Sequence, residues 1–266
     1  MSFVYKPPTE WIPPDSFPTE KLCQAKEIAI DLETRDPHLK ELGPGYIRGD
    51  GEVVGISFAV EGYEHYFPFG HETGFNFPKK KVIDFTKKVC ATNSDKVFHN
   101  ATYDVGWLAK EGVPVKGRII DTMVVAPLID ENQYWYTLNA LGREYVNEGK
   151  TEADLNEAAA EWGLDPKADL WRLPSAFVGT YATQDAALTL KLWNHFKLLL
   201  EEQNLWNIFD LEISVLPVIL AMKQKGVRVD LERAETLKKE LIKREKSIVQ
   251  KIKKESGVTE VQLWAA

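Results

Sequence analysis

Asp31 and Glu33 stand two residues apart in the stretch EIAIDLETRDP, residues 27–37, where a run with the character of a buried strand comes to its end. Side chains at i and i+2 of a strand share a face, so these two carboxylates are expected side by side. Like charges that close repel, and each resists losing water unless something positive sits between them. Two readings are open at this point. Either the strand has run out and both acids face solvent, or they hold a divalent cation.

Two further acids bear on the choice. The strand KVFHN, 96–100, ends at Asn100, a residue type suited to an N-cap, which puts Asp104 on the first turn of the next helix. An acid there also suits the helix dipole for purely structural reasons. If strands 27–33 and 96–100 are neighbours in a sheet, however, Asp104 lies beside Asp31 and Glu33. In YATQDAALTL, Tyr181 and Asp185 are four residues apart and share one helical face. Asp185 sits among Ala182, Ala186, Ala187 and Leu188, an unusual setting for a charge, and small neighbours let the helix approach another element closely. A solvent-facing pair is the plain alternative. Four carboxylates without a cysteine or histidine pattern favour hard cations, Mg²⁺ or Mn²⁺, over zinc. Two such ions about 3.5–4 Å apart clamp the attacking and leaving oxygens of a phosphoryl displacement. They would also remove the repulsion between Asp31 and Glu33.

The elements that must position these groups follow from periodicity. Residues 1–25, rich in proline, read as an extended arm with little regular structure. EIAIDLE, EVVGISFAV and YEHYFPF are strand candidates joined by short turns, hence an antiparallel meander. Helix KKVIDFTKKVCA, strand KVFHN, helix ATYDVGWLAKEG, strand KGRIIDT and helix MVVAPLID then alternate, which argues for parallel pairing. The fold class is therefore α/β: a mixed sheet of three antiparallel strands plus two parallel ones, flanked by helices. From about residue 130 only helical patterns occur, including TEADLNEAAAEWGL and a long helix through 178–202. Leu205, Phe209, Ile213, Leu216 and Leu220 form one more helical stripe, with Pro217 inside it, and a charged amphipathic helix follows Asp230.

The chain has 266 residues, 44% hydrophobic and 27% charged, as for an ordinary globular protein. It has no apolar run long enough to span a membrane and no signal-peptide pattern at its start, so no membrane partner is expected. Cys23 and Cys90 are expected to be reduced core residues. A net charge of −7 argues against nucleic-acid binding over the whole surface but leaves room for a site that holds nucleic acid through metal ions. His99 reads as a satisfied strand-end histidine, and His38, His65, His71 and His195 lack metal-ligand spacing. No phosphate-binding GxxxxGK, GxSxG or cysteine-nucleophile pattern is present.

IAIDLET, FHNATYD and YATQDA, in that order, resemble the three motifs of the DEDD 3′→5′ exonucleases, in the subgroup with a tyrosine in the third motif. Their spacing is similar to that of the proofreading domain of family A, DNA polymerase I-like enzymes. ETRDPHLKELGPG followed by GEVVGISFA is most similar to phage-encoded members, and LEISVLPVILAMKQKGVRVD resembles the entry to the polymerase thumb. The resemblance covers roughly residues 25–255 and implies a ribonuclease H-like sheet in an exonuclease domain over 26–204, then the helical start of a thumb over 205–266. It implies that Asp31, Glu33, Asp104 and Asp185 hold two divalent ions and that Tyr181 orients the attacking water. It places Asn100 and Tyr103 against the terminal nucleotides, Thr34 where the backbone meets the 3′ end, and Leu39 as an apolar wedge. Trp171 is a candidate to border the site.

The function expected is metal-dependent removal of mononucleotides from single-stranded or frayed DNA 3′ ends. The expected partners are a DNA 3′ end and the polymerase domain of the same protein, in the cytoplasm, that of the host if the gene is a phage's. No polymerase motif occurs in these 266 residues, so the chain as given is expected not to polymerise. An RNase D-like ribonuclease shares the motifs but is expected to carry a compact helical RNA-binding domain after the third. A non-catalytic DNA-binding relative is expected to have lost motif acids, and here all four stand with Tyr181.

Overall fold

A computed structural model describes residues 9–150 and 152–257. A five-stranded sheet runs through β1 (Glu27–Arg35), β2 (Glu52–Val60), β3 (Tyr63–Pro68), β4 (Asp95–Phe98) and β5 (Ile119–Asp121). Its order is β3-β2-β1-β4-β5. β1 pairs with β2, and β2 with β3, in antiparallel fashion. β4 joins β1 in parallel and β5 joins β4 in parallel, as the alternation of strands and helices requires. The expected mixed sheet, with strand 27–33 beside strand 96–100, is the one observed.

The helices are α1 (Thr19–Gln24), α2 (Leu39–Leu42), α3 (Gly45–Arg48), α4 (Lys79–Cys90), α5 (Ala101–Lys110) and α6 (Thr122–Ile129). After these come α7 (Leu138–Val146), α8 (Ala153–Trp162), α9 (Ser175–Glu202), α10 (Trp206–Lys225) and α11 (Leu231–Ser256). The extended arm expected over 1–25 is in part helical, because α1 buries Leu22 in the core; residues 1–8 lie outside the described ones. The segment GPGYIRGDG between β1 and β2, one of the joins expected to be a short turn, contains α3, whose end is marked by Gly49 in the left-handed conformation.

Alternation along β1 decides which layer carries chemistry. Ile28, Ile30 and Leu32 point into a core shared with Val82, Phe85 and Val89 of α4 and Trp107 and Leu108 of α5. Ala29, and with it Asp31 and Glu33, belongs to the opposite face, where α9 crosses the sheet. Ala29 and Ala59 from the sheet meet Ala186 of α9, and these small side chains permit close approach of helix and strand. The register of β1 on β2 slips between Glu33 and Thr34, which pair with Gly55 and Val53. Such a bulge re-aims side chains at the point where it occurs.

The chain divides into two compact units, residues 1–224 and 225–266. The first holds the sheet and takes in α10 as far as Gln224, because the α10 stripe is used up within it. Phe209 stacks on Trp193 of α9 at 5.4 Å between ring centroids, and Ile213, Leu216 and Leu220 are buried. The second unit contains α11, capped at its start by Asp230, whose side chain accepts from the Arg233 N–H. Among the described residues no helix is long and apolar enough to cross a membrane.

Candidate active site

Asp31, Glu33 and Asp185 each present a carboxylate oxygen within 4.8 Å of the others. Strand geometry supplies the first two, and the α9 crossing supplies the third. Glu33, Tyr181 and Asp185 are only 9%, 9% and 3% exposed, so the solvent-facing alternative fails for Glu33 and for the Tyr181–Asp185 pair. Asp104 arrives from α5. The pairing of β1 with β4 covers Glu27–Ala29 alone, so β1 runs on past it, and the Leu32 N–H donates to Asp104 Oδ1 at 3.1 Å. Asp104 is buried against β1, close enough for the Asp31 charge to raise its pKa, though it is not one of the three whose oxygens cluster within 4.8 Å. The site thus lies at the carboxyl ends of β1 and β4, the customary place for one in an open α/β sheet.

The electrostatics show what the cluster lacks. Burial, then the neighbouring Asp185 charge, pushes Asp31 up to about 7, while Lys150 pulls the other way. Burial and then Asp31 hold Glu33 well above the usual carboxylate range. Asp185 is raised by burial despite direct contact with the Lys150 ammonium. Tyr181 is raised by burial and then by the Glu33, Asp185 and Asp31 charges, so it stays a neutral phenol. Lys150 Nζ donates to Asp185 Oδ2 and, at 3.3 Å, to the Tyr181 hydroxyl. Asp185 Oδ1 is buried without a hydrogen-bond partner among the described residues. Crowded carboxylates that resist ionisation, one of them with an orphaned buried oxygen, fit hard divalent cations.

Beside the acids lies a cavity of about 440 Å³ lined by Thr34, Asp36, Leu39, Lys40, Tyr103 and Lys167, among others. Tyr103 donates to Asp36 Oδ2 at 3.2 Å, so the Thr34 hydroxyl, 2.7 Å away, donates to Tyr103. Leu39, 40% exposed, sits on the rim as an apolar residue without a core to join. Trp171 lies near the same end of β1, with the Arg35 guanidinium 4.4 Å from its ring centre.

Asn100 differs from expectation. It occupies the N-cap position of α5 but in the left-handed conformation, and its side chain makes no capping bond. Asp121, at the end of β5, does that work, accepting from the N–H groups of Asn100 and Ala101 at 2.8 and 2.7 Å. It also caps α6 through Met123 N–H at 3.0 Å. With this left-handed turn Asn100 is exposed, one turn before Asp104. His99 is satisfied by Thr122 at 2.9 Å, as a strand-end histidine should be.

Sequence reasoning missed Lys150 and Asp121. Lys150 sits in a loop after α7 within an acidic stretch, and no spacing ties it to the motifs. Asp121 was visible only as an acid before a helical run, itself an N-cap signal.

The 3′-5′ exonuclease family model matches residues 18–201. The chain belongs to the 3′–5′ exonuclease family of family A DNA polymerases. It is 34% identical to a DNA-directed DNA polymerase of Pseudomonas phage M6 over 97% of its own length and 40% of that protein. It is 33% identical to the DNA polymerase DpoZ of Vibrio phage phiVC8 over 70% of the chain and 33% of that protein. The chain therefore spans less than half the length of these relatives. Among solved structures it is similar to the POL domain of Pol1 from M. smegmatis in complex with DNA primer-template and dNTP. That match has a TM-score of 0.63 and 16% identity over 92% of this chain and 36% of that one. Brucella melitensis NrnC with bound Mg²⁺ matches with a TM-score of 0.56 and 16% identity, over 80% of this chain and 93% of that one. At such identities these two structures speak for the fold. The exonuclease family is metal-dependent, and this domain carries the acidic cluster that dependence needs.

Proposed function

We propose that this exonuclease domain hydrolyses the terminal phosphodiester at single-stranded or frayed DNA 3′ ends, releasing mononucleotides, as the proofreading part of a DNA polymerase. The observation that carries the reading is the convergence of the Asp31, Glu33 and Asp185 carboxylates within 4.8 Å of one another, with Asp185 Oδ1 buried and unpartnered among the described residues. Asp31, Glu33, Asp104 and Asp185 would hold two divalent ions, Mg²⁺ or Mn²⁺. When bound, such ions lower the pKa of a water and offset charge on the phosphate. The remaining work belongs to the chain. Tyr181, kept neutral by its surroundings, offers one hydrogen bond to aim the attacking water. Thr34 and Tyr103 meet the last nucleotide in the cavity beside the acids, where a base stacked on Tyr103 gains about 1–3 kcal/mol whatever its identity. Leu39 wedges apart the terminal bases from the rim, and Asn100 contacts the strand at the mouth. Tolerance of base identity suits an activity that must accept any mispaired end. The polymerase domain of a longer protein would deliver such ends, in the host cytoplasm if the gene is a phage's.

The test uses 5′-labelled single strands, one DNA and one RNA, with Mg²⁺ or chelator, on the wild type and Asp185→Ala. A DNA ladder that shortens from the 3′ end is expected, abolished by chelator. Groups that merely support a metal ligand are worth about 10–100-fold, so loss of the ligand itself should cost more than about 100-fold. Preference for RNA would reassign the substrate to the RNase D-like class, and no cleavage of either strand would overturn the reading.

A further inference from the structure

The residue that the proposed mechanism leaves without a task is Lys150. Its ammonium is largely withdrawn from solvent, with 15% of the side chain exposed, and it touches two reactive groups at once, Asp185 and Tyr181. Among the described residues it is the cation in contact with the acidic cluster. It also stands 5.0 Å from the centre of the Tyr181 ring.

Its placement is built rather than incidental. The Lys150 N–H donates to Asn139 Oδ1 of α7 at 2.9 Å, which fixes the backbone from which the side chain springs. The preceding carbonyl, that of Gly149, accepts from Gln184 on α9 at 2.9 Å, next in sequence to Asp185. Glu148 is held by Lys191, about two turns farther along the same helix, at 2.7 Å. Three consecutive residues, Glu148 to Lys150, are thus pinned to the two helices that flank the site. A long flexible side chain anchored this way retains a charged tip with several ångströms of travel over one spot.

That spot is where positive charge is needed twice. In the absence of ions the ammonium partly offsets the crowded carboxylates. The ammonium holds Asp185 Oδ2 while Oδ1 is unpartnered among the described residues, so a divalent ion drawn to this carboxylate meets a like charge beside it and drives the ammonium away. The displaced tip, still tethered at the Asn139 contact, remains beside Tyr181, the group assigned to aim the water. The reacting phosphate has to lie next to that water, and it carries the negative charge then within the lysine's reach.

We propose that Lys150 is a further catalytic residue, an ammonium that holds Asp185 while the site is free of ions and transfers to the reacting phosphate once divalent ions take its place. No bond is made or broken by the lysine; it exchanges one anionic partner for another. The inference rests on the exonuclease reading above, and its test separates the two.

The experiment compares the wild type, Lys150→Met and Lys150→Arg in two readouts. The first is the Mn²⁺ concentration that gives half the maximal rise in melting temperature, which needs no turnover. The second is the rate of cleavage of a 5′-labelled DNA strand at saturating Mn²⁺. In Lys150→Met the ion no longer competes with a charge-assisted hydrogen bond, so half-saturation should fall by about tenfold. Its cleavage rate should nevertheless drop by about 100-fold, the usual scale for a lost charge-stabilising donor. Lys150→Arg, which keeps the charge, should restore most of the rate. Tighter Mn²⁺ binding with an unchanged rate would overturn the proposal, because the lysine would then serve only the ion-free state. Weaker Mn²⁺ binding, or no change in either readout, would overturn it too. If Lys150→Met does not fold, the Lys150→Arg and Lys150→Gln pair decides by the same two readouts. A wild type that binds Mn²⁺ but cleaves nothing would instead refute the parent reading.

Discussion

Asp31 illustrates how much of the site's behaviour follows from burial at single residues. Its carboxyl is pushed from 3.8 up to about 7, first by burial and then by Asp185, against the pull of Lys150. The folded value stands above the unfolded one, so without ions Asp31 costs stability as pH rises between those two values. A cation reverses this, because it must displace the protons that Asp31 and Glu33 hold in the lower part of that window. We therefore expect the rise in melting temperature produced by a fixed Mn²⁺ concentration to grow between about pH 5.5 and 8. Calorimetry of the wild type across that range checks it, and a constant increment would contradict the assignment of these acids as ligands. These acids were legible in the sequence because residue type and spacing, i and i+2 on a strand and i and i+4 on a helix, are themselves geometric statements. Lys150 was not legible, because a loop imposes no period from which its direction can be read.

Among the elements, α5 begins on hydrogen bonds to a residue outside it. Asp104 works only if α5 starts where it does, and that start is set by Asp121 from the end of β5, which accepts from Asn100, Ala101 and Met123. Replacing Asp121 by Ala leaves these N–H groups without their acceptor. Loss of the caps should lower stability by about 2 kcal/mol or more. It should also slow cleavage by releasing Asp104, so denaturant melts and ladder rates should fall together. A loss of stability with full activity would mean that α5 keeps its place by packing alone. Strand order and the parallel addition of β4 and β5 were readable from the alternation of strands and helices. The register slip at Glu33 and Thr34 was not. Opposite Glu33 stands Gly55, where an added Cβ would come within 2.2 Å of the Tyr66 hydroxyl, an oxygen 2.8 Å from His71. Sequence periodicity cannot report a constraint that only cross-strand packing creates. The short helices α2 and α3 escaped for a related reason, since Pro and Gly punctuation marks turns and one-turn helices alike.

Across the whole molecule, a sheet with acids on one face and an apolar core on the other is covered by a helix that brings the last acid. The compact unit that holds the sheet runs to Gln224, because Phe209 and Ile213 join the core around α9 and Leu220 the core around α5. The stripe itself was legible by its spacing, but the surface that receives it was not. A net charge of −7 gives the chain little general attraction for DNA, so ions in the acidic cluster have to supply the local positive charge. We therefore expect this cluster to bind divalent cations. The most direct test is a Mn²⁺ binding isotherm on the wild-type chain at neutral pH, read by electron paramagnetic resonance, beside Asp31→Asn. Two ions per wild-type chain are expected, with binding greatly weakened in the variant. A wild-type chain that binds no Mn²⁺, or a variant that binds it as well as the wild type, would contradict the account.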